Sequence, residues 1–443
     1  MKLKVVQRFD FILLFAVLAL ITLGVLFIYS AGVDSDGASS STQYIKQMIW
    51  AGTGFVFMAA LAIIDYRSFE KYASYLFLVL IGLLVLVRFS KAVNGAHSWI
   101  GLGSIKIQPS EFCKLFFILF LARYLNKSKN SNQLKRLVMS ILIFMVPFGL
   151  IMIQPDMGTA SVFFVILFFM LLFSGIPLRY IMLFFVWAAL TVYLLVFPEW
   201  FKRIAHTTNP LVSVLTNVKL RMIFTLAFGA VCATGIVGNF IYKESRYFYW
   251  IAYCSGLVFA ALIFSYIGGL VLNIGGEAKS DYWLKRLVIF MDPEIDPRGS
   301  GWQTLKSLTT VGSGGLFGKG FLGGRLIHSG YLPEANTDFI FGSLAEEFGF
   351  VGAILVFALY LVIFIRNLSI IKNCTIPFGI YIASGIFGIF FWHFVENVGM
   401  VISCMPITGI PLMFMSYGGS SLWTAMAAIG LLMSIRYIKY DFA

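Results

Sequence analysis

Apolar residues form long runs that recur from one end of this sequence to the other. Each run of about 18 to 25 residues is long enough to cross a hydrocarbon core of ~30 Å as a helix. The pattern predicts an all-α polytopic membrane protein, a bundle of ten to twelve transmembrane helices. The twelve candidate spans are 11–32, 47–65, 73–90, 110–125, 138–154, 160–176, 178–198, 220–241, 247–273, 338–365, 375–403 and 408–435.

The basic residues between the spans predict the orientation. An even number of spans places both termini on one side, and Lys and Arg collect in cytoplasmic loops. With the N-terminus inside, the inner segments hold seventeen Lys and Arg and the short outer loops hold eight. We therefore expect cytoplasmic N- and C-termini, in a single membrane domain that extends over residues 1–443.

One predicted outer segment, residues 275–337, differs from all the others in length and composition. It is rich in glycine and contains DPEIDPRGSGW, GSGGLFGKGFLGG and YLPEANTD in that order. Seven basic and six acidic residues nearly cancel, so the segment is no polybasic patch. A long loop in a compact protein is usually functional or disordered. Turn residues interleaved with aromatic ones favour an ordered, functional extracytoplasmic loop.

Composition narrows the function classes. The chain is 60% hydrophobic and 12% charged, and its net charge is +13. The basic residues lie in short loops between spans, which argues against a nucleic-acid partner. The five cysteines show no CxxC or other ligand spacing, so neither a metal site nor a disulfide framework is expected.

Ionisable residues inside predicted spans mark candidate functional positions, because burying charge in a membrane is costly. Glu111 and Lys114 are three residues apart on one helical face and can pair, and His393 and Glu396 have the same spacing. Asp156 follows another span in QPDMGTA. Two interpretations stay open. The pairs either hold helices together or line a polar cavity that receives a phosphate-bearing lipid.

The glycine-rich segment is not a nucleotide-binding loop. A phosphate loop requires G-x-x-x-x-G-K-[ST]. In GSGGLFGKG, Ser313 occupies the position of the first glycine and Gly320 that of the magnesium-binding hydroxyl. The predicted outer location also argues against ATP.

Asp338 lies where the long loop meets the tenth predicted span, in YLPEANTDFIFG. It can act as a helix N-terminal residue that accepts hydrogen bonds from early N–H groups. It can also act at the water–membrane boundary as a base that removes a proton from a sugar hydroxyl. The sequence leaves both roles open.

Five blocks identify a family resemblance. They are GAHSWIGLGSIKIQPSEFCKL, QPDMGTA, RLVIFMDPEIDPRGSGWQTLKSLTTVGSGGLFGKG, LPEANTDFIFGSLAEEFGFVG and NVGMVISCMPITGIPLMFMSYGGSS. Their order and predicted topology resemble the SEDS family (shape, elongation, division and sporulation), and they cover most of the chain after about residue 95. IFMDP and GSGGLFGKG resemble the elongation, rod-shape branch more than the division branch. Members of the family usually have ten spans, two fewer than predicted here. The resemblance therefore implies that residues 199–273 contain an additional helix pair.

The resemblance assigns roles to individual residues. Asp338 matches the family's essential aspartate and is the expected catalytic residue. Trp99, Glu111, Lys114 and Arg286 match family positions expected to bind substrate. Further substrate-binding candidates in the loop are Lys319, Arg325 and Glu334.

Some positions depart from the family pattern. Asn336 replaces a usual histidine, Ser403 a usual glycine and Met413 a usual proline. The change at Asn336 implies that the histidine beside the aspartate is dispensable for the chemistry.

The resemblance implies an inverting peptidoglycan glycosyltransferase that transfers lipid-linked disaccharide-peptide (lipid II) onto a growing glycan strand with β-1,4 linkage. It also implies a bacterial inner-membrane location, a class B penicillin-binding protein transpeptidase as partner, and other elongation-complex membrane proteins. No cofactor motif is present, although Mg²⁺ or Mn²⁺ could bind the pyrophosphate. Two rival functions remain: a lipid II flippase, and a non-catalytic scaffold for a transpeptidase.

Overall fold

The structure is a computed structural model that describes residues 9–33, 41–89, 98–102, 105–154, 156–204, 217–242, 246–271, 286, 289–290 and 300–439. Its elements are α1 (Phe11–Ser30), α2 (Gln43–Ile63), α3 (Ser68–Val87), β1 (Ile100–Leu102), β2 (Ile105–Ile107), α4 (Pro109–Lys127), α5 (Gln133–Ile153), α6 (Met157–Leu172), α7 (Leu178–Ile204), α8 (Val218–Ile241), α9 (Arg246–Val271), α10 (Ser300–Ser313), α11 (Arg325–His328), α12 (Ile340–Asn373), α13 (Pro377–Val401) and α14 (Gly419–Lys439).

Local sequence signals fix where several helices begin. The carboxylate of Asp10 accepts a hydrogen bond from Leu13 N at 3.2 Å and caps α1. Asp156 caps α6 in the same way through Thr159 N at 3.0 Å. Proline, which has no N–H to leave unsatisfied, is the first residue of both α4 and α13.

Helices occupy all twelve predicted spans, so the predicted fold class is confirmed. Within the described residues, ten helices are long and apolar enough to cross a membrane, and α6 is a shorter apolar helix. The remaining predicted span is occupied by α4, which carries Glu111 and Lys114. β1 and β2 form a small antiparallel hairpin directly before α4.

One predicted boundary was wrong. The last span was predicted from residue 408, but α14 begins at Gly419. Residues 404–418 are not helical because Pro406 and Pro411 cannot donate backbone bonds and Gly409 adopts a positive φ of 78°. Within the predicted loop 275–337, whose bounds stay a prediction, the described residues include a regular helix, α10.

The tenth predicted span, 338–365, is interrupted. Gly349 has φ 63° and ψ −155°, which separates α12 into a first segment, 340–348, and a second segment, 350–373. At 1.5 Å per residue the second segment extends about 36 Å and crosses a membrane without the first. Asp338 is therefore followed by a short buried helical segment, and not directly by a membrane span.

The described chain forms two compact units. The first comprises Met1–Ile176 and Pro293–Ala443. Its most buried helices are α13 and α14, and α13 packs along α6, α12 and α4. Gly385 allows the close contact with α4, since a Cβ there would lie 2.7 Å from Ile118 Cγ1. All the proposed site residues described below, except Arg286, belong to this unit.

The second unit is Pro177–Asp292 and contains α7, α8 and α9. Its small core is formed by Leu194, Ala261 and Leu262. Gly235 brings α8 close to α9, because a Cβ would lie 2.6 Å from Ala252 N. The proposal that residues 199–273 are an additional helix pair concerns α8 and α9 and stays a prediction.

Candidate functional site

Asp338 lies in a turn that is anchored from two sides. Asn397 Nδ2 donates to the backbone oxygen of Asp338 at 2.8 Å and to that of Ile410 at 2.8 Å. The side chain of Asp338 is half-buried, and a Cβ on Gly409 would lie 3.3 Å from its Oδ2. The carboxylate therefore lies beside the non-helical segment 404–418.

The helix after Asp338 begins one residue later than it would if Asp338 were its N-cap. The N-cap residue of α12 is Phe339, and Asp338 precedes it. Phe339 N donates to Glu334 O at 3.2 Å, which closes the turn. The turn thus presents Asp338 ahead of the helix and outside the N-cap position.

The same turn contacts the segment before α14. Tyr417 N donates to Asn336 O at 2.9 Å, and the side chain of Asn336 donates to Gln43 Oε1 on α2. Asn336, where the family resemblance led us to expect histidine, thus has a positioning contact with α2. Glu334 is exposed and accepts a hydrogen bond from Thr337 Oγ1 at 3.0 Å.

Glu111 and Lys114 pair as predicted. Lys114 Nζ lies 2.6 Å from Glu111 Oε1, and both side chains are buried. Lys114 Nζ also lies 2.9 Å from His393 Nε2 on α13. Because His393 Nδ1 is 2.9 Å from Pro411 O, we assign the ring proton to Nδ1, which leaves Nε2 as the acceptor. The network connects α4 to segment 404–418.

His393 and Glu396 do not pair, contrary to the prediction. They lie on one face of α13, but each contacts a different helix. Glu396 Oε2 accepts from Ser161 Oγ on α6 at 3.0 Å. Ser161 Oγ also accepts from Trp392 Nε1 at 2.6 Å. Glu396 therefore joins α13 to α6, whereas His393 joins α13 to α4.

Asp156 and Trp99 lie near the ends of α6 and of the hairpin. Asp156 Oδ2 accepts from Gln108 Nε2 at 3.1 Å. Gln108 N in turn donates to Ser420 Oγ on α14 at 3.0 Å. Trp99 is half-buried and directly precedes β1. The hairpin is thus anchored to the same 416–420 region that contacts Asn336.

The glycine-rich run packs against the break in α12. Lys319 N and Gly320 N donate to the carbonyl oxygens of Glu346 and Glu347 at 3.1 and 2.9 Å. In return, residues 350 and 351 donate to the carbonyl oxygens of residues 315 and 316 at 3.0 and 3.1 Å. The run therefore satisfies backbone groups that the interrupted helix leaves free.

Side chains strengthen this contact. Glu346 is fully buried and forms an ion pair with Lys319. Its two oxygens also accept from Leu326 N at 3.0 Å and Ile327 N at 3.1 Å. Lys319, predicted as a substrate contact, is thus engaged by Glu346 in this structure.

The remaining predicted cations have different surroundings. Lys114 is completely buried, and Arg286 belongs to the second unit. Arg325 is exposed, and its guanidinium makes no hydrogen bond or ion pair with the described part of the chain. Arg325 is therefore accessible to an anionic ligand without first losing an internal partner.

Lys306, a buried cation, had no place among the predicted site residues. Its ammonium lies 3.1 Å from the ring centroid of Trp302 and 4.4 Å from that of Tyr331. Desolvation lowers the pKa of Lys306. In the sequence, the only indication of this contact was the spacing of four residues between Trp302 and Lys306. Many helices contain such a pair, so the spacing alone did not single out Lys306.

An apolar groove of about 850 Å³ lies along α12 and α13. Small and aromatic residues line it, from Gly312 and Gly315 at one end to Leu361 and Phe364 at the other. Large exposed side chains flank it on the second segment of α12, at Phe350, Ile354 and Phe357. The groove begins beside the break in α12.

Comparison with known proteins identifies the family. A family model for FtsW, RodA and SpoVE, described as "Cell cycle protein", matches residues 11–218 and 205–441. The chain is 43% identical over 437 residues to peptidoglycan glycosyltransferase RodA of Treponema pallidum, covering 98% of this chain and 99% of that protein. It is 32% identical to stage V sporulation protein E of Bacillus subtilis, with 97% and 98% covered. It is 30% identical to peptidoglycan glycosyltransferase MrdB of Escherichia coli, with 96% and 92% covered.

Solved structures show the same fold. A chain from a peptidoglycan synthase complex superimposes with a TM-score of 0.65 at 23% identity, covering 98% of this chain and 99% of that one. The rod shape determining protein RodA of Thermus thermophilus superimposes with a TM-score of 0.59 at 23% identity, and 98% of each chain is covered. The resemblance found in the sequence is confirmed: this chain belongs to the SEDS family of FtsW, RodA and SpoVE proteins.

Proposed function

We propose that this protein is a peptidoglycan glycosyltransferase that polymerises lipid II into β-1,4-linked glycan at the outer face of the bacterial inner membrane, during cell elongation. Two relatives that match over nearly their whole length carry the name peptidoglycan glycosyltransferase. The single observation that carries the proposal is the half-buried side chain of Asp338, which lies beside segment 404–418 while Asn397 holds its backbone oxygen.

The reaction requires one base and an anion-stabilising group. Asp338 acts as the general base and removes the proton from the acceptor 4-hydroxyl. The resulting oxygen forms a bond to C1 of the donor sugar from the face opposite the pyrophosphate. The bond between C1 and the pyrophosphate oxygen breaks, and the electron pair leaves with lipid pyrophosphate. An α-linked donor thus gives a β-linked product.

Cations that precede the turn in the chain are the candidates for supporting departure of the pyrophosphate. Arg325 and Lys306 have no carboxylate partner within the described residues, whereas Lys319 is paired with Glu346. Arg325 is the better candidate, because a guanidinium binds phosphate oxygens through two parallel hydrogen bonds. Buried Lys114 acts indirectly in this proposal, by positioning segment 404–418 through His393. Mg²⁺ or Mn²⁺ bound to the pyrophosphate stays a prediction, which chelation of the purified protein tests.

The decisive experiment measures glycan formation from labelled lipid II by purified Asp338→Asn protein. Loss of the base predicts normal folding, normal lipid binding and a rate lowered by roughly 10²–10⁴. Asp338→Glu should also be impaired, because one methylene shifts the carboxylate by about 1 Å. Glu334→Gln removes an exposed carboxylate from the same turn and should raise KM while preserving kcat. Near wild-type polymerisation by Asp338→Asn would refute the assignment.

The same assay separates the rival functions. A flippase would move lipid II across a vesicle membrane without forming glycan, and Asp338→Asn would not alter that movement. A scaffold would form glycan only through another polymerase in the preparation. Polymerisation by the wild-type protein that Asp338→Asn abolishes excludes both.

We further propose that the membrane helix of a class B penicillin-binding protein docks in the groove along α12 and α13. A structural relative belongs to a complex that coordinates polymerization and crosslinking. The small groove residue Ala358 leaves room for a second helix at close range. Ala358→Trp should prevent co-purification of the transpeptidase, whereas Leu355→Trp, which places the same bulk outside the groove on an exposed position, should not. Equal co-purification with both variants would contradict this docking site. Contacts with other elongation-complex proteins stay predictions.

A further inference from the structure

A polar cavity of about 270 Å³ lies at the end of the first unit remote from Asp338. It lies among the ends of α12 and α14, next to the start of α1. Its lining consists of Arg366, Ser369, Ile370, Asn373, Cys374, Ile435 and Arg436. At the other end of α1, Ser30 contacts Glu347 in the first segment of α12. The 20 residues of α1 therefore separate the cavity from the candidate active site by about 30 Å.

Two arginines at this cavity share a single carboxylate. Arg366 Nε lies 3.1 and 2.9 Å from the two oxygens of Asp10, and its Nη2 lies 2.8 Å from Oδ2. Arg436 also pairs with Oδ2 of Asp10. Asp10 is buried and accepts a further hydrogen bond from Leu13 N. Two guanidinium charges against one carboxylate leave a net charge of +1 among these three side chains.

Both arginines keep donors that no group in the described part of the chain uses. A guanidinium carries five N–H donors. Arg366 uses Nε and Nη2, and Arg436 uses Nη1, for Asp10. Their other nitrogens make no hydrogen bond within the described part of the chain. The side chains are 24% and 20% exposed, so these donors are held in place by Asp10 and still border the cavity.

We infer that this cavity binds a phosphate-bearing anion, the headgroup of an acidic phospholipid. Planar guanidinium groups match phosphate oxygens in two-pronged hydrogen bonds. Basic pockets between membrane helices on the cytoplasmic side are a recurring form of anionic headgroup site. The predicted topology places Asp10, Arg366 and Arg436 on that side. A bound phosphate would compensate the excess positive charge and clamp α1, α12 and α14 together.

Thermal unfolding of the full-length protein in neutral detergent tests the site. Short-chain phosphatidylglycerol, short-chain phosphatidylcholine and inorganic phosphate are titrated separately. Ligand that binds the folded state alone raises the melting temperature with concentration. Arg436→Gln removes one guanidinium, and Arg366→Lys keeps the charge opposite Asp10 but loses the planar fork. Lys372→Gln is the matched control, because it removes one charge from an exposed position at the same end of α12, outside the cavity.

Phosphatidylglycerol should raise the melting temperature of the wild-type protein and of Lys372→Gln at the same concentrations. Both arginine variants should require about tenfold more of it, the effect of losing one charged hydrogen bond. If phosphatidylcholine and inorganic phosphate leave the melting temperature unchanged, the ligand is the headgroup of an acidic lipid. An equal, arginine-dependent effect of inorganic phosphate assigns free phosphate as the ligand instead. Absence of any shift, or an equal loss in Lys372→Gln, would overturn the site.

Discussion

Asn397 holds the backbone of Asp338 at 2.8 Å and, through the same amide nitrogen, the backbone of Ile410 at 2.8 Å. One buried side chain therefore fixes the spacing between the proposed base and segment 404–418. Neither bond involves the carboxylate of Asp338. Asn397 therefore determines where the carboxylate lies without itself contacting it through these bonds.

Replacement of Asn397 tests this positioning role. Asn397→Ala leaves two backbone oxygens without their donor and should cost about 1–3 kcal/mol of stability. At a temperature where the variant is folded, kcat should fall more than KM rises. Asn126→Ala, which removes a single bond to Glu70 Oε1, is the control and should leave kcat unchanged. Wild-type kcat in folded Asn397→Ala would show that the clamp is purely structural.

The buried pair of Glu111 and Lys114 predicts a coupled response to substitution. Glu111→Gln or Lys114→Met alone strands a buried charge and should cost about 3–5 kcal/mol. Lys114→Met also leaves His393 Nε2 without its donor. The double variant should recover part of this loss. Thermal melts of the four proteins in a double-mutant cycle measure the coupling, and two stable, fully active single variants would be the contrary result.

Two neighbouring glycines should respond differently to the same substitution. A Cβ on Gly314 would overlap the backbone oxygen of Ala345 in the first segment of α12, whereas a Cβ on Gly312 meets nothing within 4 Å. Gly314→Ala should therefore lower the melting temperature and the yield of folded protein. Gly312→Ala lies within helix α10 and should be neutral or slightly stabilising. Equal melting temperatures would mean that the run does not pack on α12 as described.

Cysteine labelling in a Cys-free background tests the predicted orientation. Phe317 is 81% exposed in the glycine-rich run, and Lys129 is exposed between α4 and α5. An impermeant thiol reagent applied to intact spheroplasts should modify Phe317→Cys and spare Lys129→Cys until the membrane is opened. The reverse pattern would place the run, and Asp338 with it, inside the cell. Phe317 is chosen over the glycines of the run because a cysteine at a glycine with positive φ would strain the backbone. Gly320, for example, has a φ of 87°.

Contacts along one helix were predictable, but contacts between helices were not. The spacing of Glu111 and Lys114 on α4 was enough to predict their pair. The same spacing misled for His393 and Glu396, since α13 is surrounded by other helices and each side chain finds its partner there. Lys114 and His393 are 279 positions apart in the sequence, and no periodicity connects them.

The break in α12 was also beyond prediction from its own residues. In EEFGFVG two glutamates are followed by apolar residues and glycine, and a single glycine at such a position is compatible with an uninterrupted helix. The interruption is stabilised by the distant GSGGLFGKG run, whose glycines were recognised but whose partner was not. Asp338 was identified from its sequence block. Asn397 begins another of the five blocks, NVGMVISC, but nothing in that block indicated that its partner is the backbone of Asp338.

The four backbone hydrogen bonds at Gly349 also constrain how the chain is made. Buried peptide groups without hydrogen-bond partners are costly, so the first segment of α12 is not stable in its final place without the glycine-rich run. The glycine-rich run precedes it in the sequence and leaves the ribosome first. Translocation of that run would therefore supply a waiting partner for residues 346–351 as they emerge. Biosynthesis of this region is ordered from the N-terminal side, and a chain in which the two segments were exchanged in order should insert poorly.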